Sequence, residues 1–257
     1  MSDHGRFIWC ELMTPDVAAA KAFYVQLLGW SLEEMTGGDM TYTLAGPGPA
    51  IAGMMELPDD LKAAGVPPNW TGYVDVDDVD AAAEKAKQLG GSVQVPPTDI
   101  PDIGRFAVIA DPGGAVISIM TPAPMEGGAP MPTPGSPGTA GWRELYAADL
   151  ESAFSFYSAL FGWRKDDDVD MGPMGVYRLF ANQDGQVGGM MTKPADFPVP
   201  AWLYYFVVDD IDAGATRVKA GGGQVLNGPM EVPGGDWIVQ AADPQGAMFA
   251  LMGKKTA

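Results

Sequence analysis

Residues 9–30 read WCELMTPDVAAAKAFYVQLLGW, and residues 142–163 read WRELYAADLESAFSFYSALFGW. The two stretches share Trp, Glu-Leu, Asp, Phe-Tyr, Leu and Gly-Trp in one register, with the second stretch 133 residues after the first. A repeat with fixed internal spacing indicates two copies of one folding unit. The sequence therefore predicts a duplicated architecture with two equivalent surfaces on which a ligand could bind.

The duplication extends through the whole of each half. Shorter matching phrases follow in the same order in both copies, with few insertions between them. They are Tyr42-Thr43-Leu44 with Tyr177-Arg178-Leu179, Gly53-Met54-Met55 with Gly189-Met190-Met191, Pro68-Asn69-Trp70 with Pro200-Ala201-Trp202, Val76-Asp77-Asp78 with Val208-Asp209-Asp210, and Asp111-Pro112 with Asp243-Pro244. Between the copies, residues 122–139 are rich in Pro and Gly and predict an extended linker. We therefore expect one domain over residues 5–121 and a second over residues 140–253.

The composition is strongly acidic. The 257 residues contain 33 Asp and Glu against 15 Lys and Arg, which gives a formal net charge of −18. Such a surface repels phosphate backbones and anionic lipids, so we expect neither nucleic-acid nor membrane partners. Solubility is the simplest consequence of this charge, and attraction of a cationic ligand is the alternative.

The chain contains one cysteine, Cys10, and one histidine, His4. A single cysteine excludes an intrachain disulfide, and a single histidine, in a tail that we expect to be mobile, excludes a Ser-His-Asp triad. The N-terminus lacks the apolar segment of a signal peptide, and no apolar run approaches the length of a membrane span. We therefore expect a cytoplasmic protein.

Local patterns predict a strand, a helix and then three strands, twice in each half. Phe7–Leu12 alternates as a strand does, Thr14 is the expected N-cap of the first helix, and Gly29 is its expected stop. Asp78 is the expected cap of a second helix that ends near Leu89. Further strands are expected over residues 40–45, 50–57, 70–76, 92–95, 106–110 and 115–120. The fold class is therefore α+β, with four βαβββ modules in tandem.

This pattern resembles the vicinal oxygen chelate superfamily, which includes glyoxalase I, bleomycin-resistance proteins and extradiol dioxygenases. The resemblance rests on the first-helix phrase, on Val76-Asp77-Asp78 before the second helix, on Gly90-Gly91 after it, and on the Asp111-Pro112-Gly113-Gly114 turn, all of which recur in the second half. It implies two glyoxalase-like domains with curved mixed sheets. We expect the helix residues Phe23, Tyr24, Leu27 and Trp30 to form the core.

The resemblance also implies a divalent metal held by His, Glu or Gln on three strands. The matching positions are Trp9, Thr71 and Ser118 in the first copy and Trp142, Leu203 and Ala250 in the second. Trp, Leu and Ala offer no lone pair to a metal, and the Thr and Ser hydroxyls are weak neutral donors. We therefore predict neither a metal nor another cofactor.

Strand alternation places Trp9 and Glu11 on one face and Cys10 on the other, and likewise groups Trp142 with Glu144. A carboxylate inside a sheet is costly unless it is paired. Each glutamate is therefore either a structural acid bonded to a neighbour, or a functional group that binds a cation or acts as a general base.

Other side chains are candidates for the same cavities because aromatic rings and methionines suit planar or flexible apolar ligands. The alternative role of these side chains is simply to form the core. They are Met55, Tyr73, Met191 and Tyr205, and Trp70 and Trp202 are expected at the pocket rims.

Three functions remain open. The first is metal-free binding of a small molecule, cationic or planar aromatic, in the concave cavities of the sheets. The second is a glyoxalase-like lyase, isomerase or hydroxylase with Glu11 or Glu144 as general base, and the third is a structural or interaction role. Two modules in one chain imitate the dimer of single-module relatives, so a monomer is plausible and a homodimer is the alternative.

Overall fold

The computed structural model of the chain describes residues 3–37, 40–124 and 132–256. Of the predicted linker over 122–139, residues 125–131 lie outside this set. The elements of the first half are β1 (Phe7–Thr14), α1 (Val17–Leu28), β2 (Ser31–Gly37), β3 (Met40–Gly46), β4 (Ala52–Glu56), α2 (Asp59–Ala63), β5 (Asn69–Asp75), α3 (Val79–Gln88), β6 (Ser92–Ile100), β7 (Gly104–Ala110) and β8 (Val116–Pro122).

The second half repeats this order, with a short 3₁₀ turn at Gly172–Met174. Its elements are β9 (Ala140–Ala147), α4 (Leu150–Phe161), β10 (Arg164–Asp170), β11 (Val176–Asn182), β12 (Gly185–Thr192), β13 (Ala201–Asp210), α5 (Ile211–Ala220), β14 (Gln224–Glu231), β15 (Trp237–Ala242) and β16 (Met248–Lys254).

Each half of the chain contributes one eight-stranded mixed sheet. The strand order is β2-β3-β4-β1-β5-β8-β7-β6 in the first sheet and β10-β11-β12-β9-β13-β16-β15-β14 in the second. Strand β1 pairs with β4 in parallel, as β9 does with β12, whereas β3 and β4 form an antiparallel pair. These sheets confirm the predicted α+β class and the four βαβββ modules.

The chain also divides into two compact units. Among the described residues, one unit contains 3–8, 71–124 and 142–202, and the other contains 9–37, 40–70, 132–141 and 203–256. Each unit therefore takes one βαβββ module from each half of the chain.

Helix α1 begins two residues later than the sequence pattern indicated. The N-cap is Asp16, whose carboxylate accepts a hydrogen bond from the Ala19 N–H at 2.9 Å. The prediction of Thr14 was wrong because β1 continues to this residue, where it pairs with Glu56 on β4. The predicted stop is confirmed, since Gly29 adopts the left-handed conformation that ends the helix.

The predicted core face of α1 is confirmed. Phe23, Tyr24 and Leu27 are buried, and the Tyr24 hydroxyl donates to the Asp243 carboxylate at 3.1 Å. The prediction that Trp70 lies at a pocket rim was wrong. Its indole N–H donates to the Tyr24 hydroxyl at 2.8 Å, and this bond allows the polar edge of the ring to be buried in the core.

The other compact unit repeats this arrangement. Trp202, also expected at a rim, is buried and donates to the Tyr157 hydroxyl at 3.1 Å. His4, in the tail that was expected to be mobile, makes two hydrogen-bond contacts. Its ring Nε2 lies 3.1 Å from the Leu160 carbonyl oxygen, and its Nδ1 accepts from the Asp77 N–H at 3.3 Å.

Candidate functional site

The predicted alternation along β1 is confirmed. Cys10 and Leu12 are buried on one face, whereas Trp9, Glu11 and Met13 are half-buried on the other. The Cys10 thiol lies 3.8 Å from the Ile51 carbonyl oxygen and so does not share a face with Glu11. The half-buried face is therefore the one on which the candidate site is built.

Trp9 and Glu11 are joined by a tyrosine on another strand. The Trp9 indole N–H donates to the Tyr42 hydroxyl at 2.9 Å, and that hydroxyl donates to Glu11 Oε2 at 2.8 Å. An indole can only donate, whereas a phenol can accept one bond and donate another, so the chain of bonds runs from Trp9 to Glu11. The carboxylate is therefore oriented by a fixed donor.

A glycine makes this contact possible. Strand β4 lies between β3 and β1, and its residue Gly53 is paired with Glu11 on one side and Leu44 on the other. Tyr42 must cross β4, a distance of two strand spacings or roughly 10 Å, to reach Glu11. A Cβ added to Gly53 would overlap the Tyr42 ring and hydroxyl. The absence of a side chain at position 53 therefore leaves the space in which Tyr42 lies.

The second copy contains the same network. Trp142 donates to the Tyr177 hydroxyl at 2.9 Å, and Tyr177 is hydrogen-bonded to Glu144. Gly189 is paired with Glu144 and lies under the Tyr177 ring. We call these two sets of side chains the Trp9–Tyr42–Glu11 network and the Trp142–Tyr177–Glu144 network.

The two networks differ in burial. Glu144 is only 7% exposed, whereas Glu11 is half-buried. Burial, followed by the negative charge of Glu144, raises the pKa of the Tyr177 hydroxyl well above its ordinary value. The phenol therefore stays protonated across the physiological range and remains a donor to the carboxylate.

A further aromatic pair adjoins the second network. Tyr146 follows Glu144 by two residues on β9, so alternation places both on one face. Its ring is stacked on that of Phe197, with centroids 4.6 Å apart and an interplanar angle of 20°. Met191 lies beside them, because it is paired with Tyr146 on one side and Tyr177 on the other.

Of the remaining predicted site residues, Met55 lies next to a network, whereas Tyr73 and Tyr205 do not lie in the compact unit that contains the glutamate of their own copy. Met55 is paired with Met13 next to the first network. Tyr73 is buried against Phe106, with centroids 6.3 Å apart, and Tyr205 is buried and accepts from Gln240 at 3.1 Å. Tyr73 does not belong to the compact unit that contains Glu11, and Tyr205 does not belong to the one that contains Glu144.

The residues that sequence reasoning missed are the two tyrosines and the two glycines. Tyr42 and Tyr177 recur in register, as do Gly53 and Gly189, so the repeat itself contained the signal. What the sequence does not give is the strand order that places β4 between β3 and β1.

The positions at which the resemblance implies metal ligands do not fit a metal. Trp9 and Trp142 each direct their only ring N–H at a tyrosine, and indole nitrogen has no lone pair to offer. Ser118 is a buried hydroxyl on β8, and Leu203 and Ala250 are apolar. Among the described residues, no group of three or more His, Cys, Asp or Glu side chains could hold a metal ion.

Comparison with known proteins places the chain in a family. The model of the Glyoxalase/Bleomycin resistance protein/Dioxygenase superfamily matches residues 6–119 and 139–251. The chain therefore belongs to this superfamily.

Two named relatives match almost the whole chain. It is 36% identical over 247 residues to the protein named "Putative glyoxylase CFP32" of Mycobacterium tuberculosis, covering 95% of this chain and 93% of that protein. It is 32% identical over 258 residues to the anthracycline biosynthesis protein DnrV of Streptomyces peucetius, covering 95% and 91%.

Solved structures share the fold at low sequence identity. The Mn(II)-bound glyoxalase from Novosphingobium aromaticivorans matches with a TM-score of 0.67 and 15% identity, over 100% of this chain and 84% of that one. The 2,2',3-trihydroxybiphenyl 1,2-dioxygenase from Sphingomonas wittichii matches with a TM-score of 0.69 and 15% identity, over 97% and 90%. None of the helices in the described part of this chain is both long and apolar enough to span a membrane.

Proposed function

We propose that this protein binds a small molecule without a metal ion, and that the two Trp–Tyr–Glu networks are its binding sites. The observation that carries the proposal is the directed chain of hydrogen bonds that ends on a carboxylate in both copies. A carboxylate oriented by a tyrosine and flanked by an indole suits a ligand that combines a positive charge with an apolar body.

The charge of the whole chain supports the same ligand class. A formal net charge of −18 attracts cations and speeds their encounter with the protein. The half-buried indole of Trp9 adds an aromatic face next to Glu11. The name of one relative, an anthracycline biosynthesis protein, is compatible with a planar aromatic ligand.

Binding should be measured in a buffer that contains a metal chelator. Isothermal titration with a planar aromatic cation such as 9-aminoacridine, and with the non-planar cation tetraethylammonium, tests both parts of the ligand class. Because a hydrogen bond to a charged group contributes about 1.5–3 kcal/mol, we expect Glu11→Gln and Glu144→Gln each to weaken their own site by about ten-fold or more.

Glu33→Gln is the matched control, since it removes the same charge from an exposed position on β2. It should leave the affinity unchanged. Binding that requires an added divalent metal, or Glu11→Gln and Glu144→Gln variants that bind as the Glu33→Gln variant does, would refute the proposal.

A second candidate function is that of a lyase, isomerase or hydroxylase with Glu11 or Glu144 as general base. It is favoured by the hydrogen bond between each glutamate and a tyrosine, because a carboxylate and a protonated phenol can serve as base and acid in one site. The name of the mycobacterial relative is compatible with it. Turnover of a 2-oxoaldehyde–thiol adduct, lost in Glu11→Gln or Glu144→Gln but kept in Glu33→Gln, would support it, and turnover unaffected by either substitution would exclude it.

A further inference from the structure

The two networks have different residues next to them at the strand position that follows the glutamate by two. Two residues after the glutamate, the first copy has Met13 and the second has Tyr146. The segments that follow β4 in the first copy and β12 in the second differ as well. Residues 57–68 contain no aromatic residue, whereas the corresponding segment before Trp202 contains Phe197. Only the second copy can therefore form an aromatic stack at this place.

The ring of Phe197 lies where a flat ligand ring would lie on Tyr146. The two rings are nearly parallel at 20°, and their centroids are 4.6 Å apart, which is the usual separation of a stacked pair. Tyr146 is on the same face as Glu144 and two residues away, or roughly 7 Å along the strand. Met191, which is paired with both Tyr146 and Tyr177, lies between them in the sheet. A ring stacked on Tyr146 is thus next to the carboxylate.

Phe197 belongs to a short loop, and its backbone makes hydrogen bonds to residues of the same loop. Lys193 Nζ donates to the Phe197 carbonyl oxygen at 2.7 Å, and the Phe197 N–H donates to the Pro194 carbonyl oxygen at 3.1 Å. Both bonds are within the loop, so they can move with it. Nearby Val199 is 59% exposed.

We propose that Tyr146 is the stacking platform for a planar aromatic cation in the second copy, and that Phe197 occupies this platform until the ligand replaces it. The inference rests on the proposed function, because it assigns a ligand class to the Glu144 site. The ring of the ligand takes the place of the Phe197 ring on Tyr146, and its positive charge lies next to Glu144. The first copy, with Met13 at this position, has no such preference for planar rings.

The test is a fluorescence titration of 9-aminoacridine in the Glu11→Gln background, in which the first site is weakened and the second site therefore binds at the lower ligand concentrations. Removing the competing ring by Phe197→Ala should raise the affinity about two- to ten-fold, the range expected for one stacked aromatic pair. Tyr146→Leu should abolish this gain and weaken binding by a similar factor. Val199→Ala, an exposed substitution in the same loop, should change nothing.

Tetraethylammonium separates the two proposals, because it carries charge but cannot stack. Its affinity for the second site should fall with Glu144→Gln and should be the same with and without Phe197→Ala. The inference is overturned if 9-aminoacridine binding is unchanged or weaker in Phe197→Ala, or is absent from that variant, while Glu144→Gln still weakens tetraethylammonium binding. If neither cation responds to Glu144→Gln or Glu11→Gln, the proposed function itself fails. Thermal unfolding of each variant verifies that Tyr146→Leu still folds.

Discussion

The repeat supplies a matched pair of substitutions, Tyr42→Phe and Tyr177→Phe. Each removes one hydroxyl that accepts from a tryptophan and is bonded to a glutamate. The ring stays in place, so the packing over Gly53 or Gly189 is kept. The change therefore isolates the contribution of the hydrogen bonds.

The expected magnitudes differ because the two glutamates differ in burial. Glu144 is 7% exposed, so Tyr177→Phe removes a hydrogen bond from a buried acid and the acceptor of the Trp142 indole N–H, at a place that water does not readily reach. Unsatisfied buried polar groups cost about 1–3 kcal/mol each, and more when charged, so we expect a loss of about 2–4 kcal/mol. Glu11 is half-buried and water can reach it, so Tyr42→Phe should cost about 1 kcal/mol or less.

The assay is thermal unfolding at neutral pH, supported by urea titration. A loss of 2–4 kcal/mol corresponds to a drop in Tm of about 5–15 °C for domains of this size, whereas the Tyr42→Phe variant should lose no more than about 4 °C. Equal losses in the two variants, or a larger loss in Tyr42→Phe, would refute the argument that burial of the glutamate sets the strength of the network.

Two further predictions concern packing and acid stability. Gly53→Ala should destabilise the protein by about 1–3 kcal/mol in urea unfolding, because the new methyl group overlaps the Tyr42 ring. Adding Tyr42→Leu should recover part of this loss. An unaltered midpoint for the Gly53→Ala variant would contradict this geometry. The hydrogen bond from Arg178 lowers the pKa of Asp168 to about 2, so its stabilising contribution is present above the ordinary pKa of 3.8 and is lost as the pH falls towards 2. Asp168→Asn should flatten the dependence of stability on pH between 4 and 2, as measured by urea titration at several pH values, and an unchanged slope would contradict the assignment.

Local features were predicted well because they depend on neighbours in sequence. The alternation of β1, the stop at Gly29 and the cap at Asp78 all follow from side-chain periodicity and backbone preferences. The cap of α1 was wrong by two residues, because pairing between Thr14 and β4 extends the strand. A pairing of this kind is a tertiary effect that local preference does not include.

Only part of the candidate site was predicted, because local patterns do not show how distant strands pair. Trp9 and Glu11 are on one strand, so alternation alone groups them. Tyr42 is on a strand two places away in the sheet, and one sequence does not specify that order or its register. Trp70 was predicted at a pocket rim, but it is buried. Its indole N–H donates to Tyr24, a residue 46 positions earlier in the chain, and local sequence does not show this partner.

Gly53 and Gly189 favour a functional role for the two networks over a purely structural one. Glycine in a strand interior costs roughly 0.5–1 kcal/mol relative to alanine, and it is normally explained by a bulge or by a backbone angle that other residues avoid. Neither Gly53 nor Gly189 has a positive φ, so the backbone does not require glycine there. What each does allow is a tyrosine ring that crosses the strand to reach a glutamate. A core could fill the same space with alanine and a smaller neighbour, so the presence of the costlier pair in both copies favours a role for the oriented carboxylate itself.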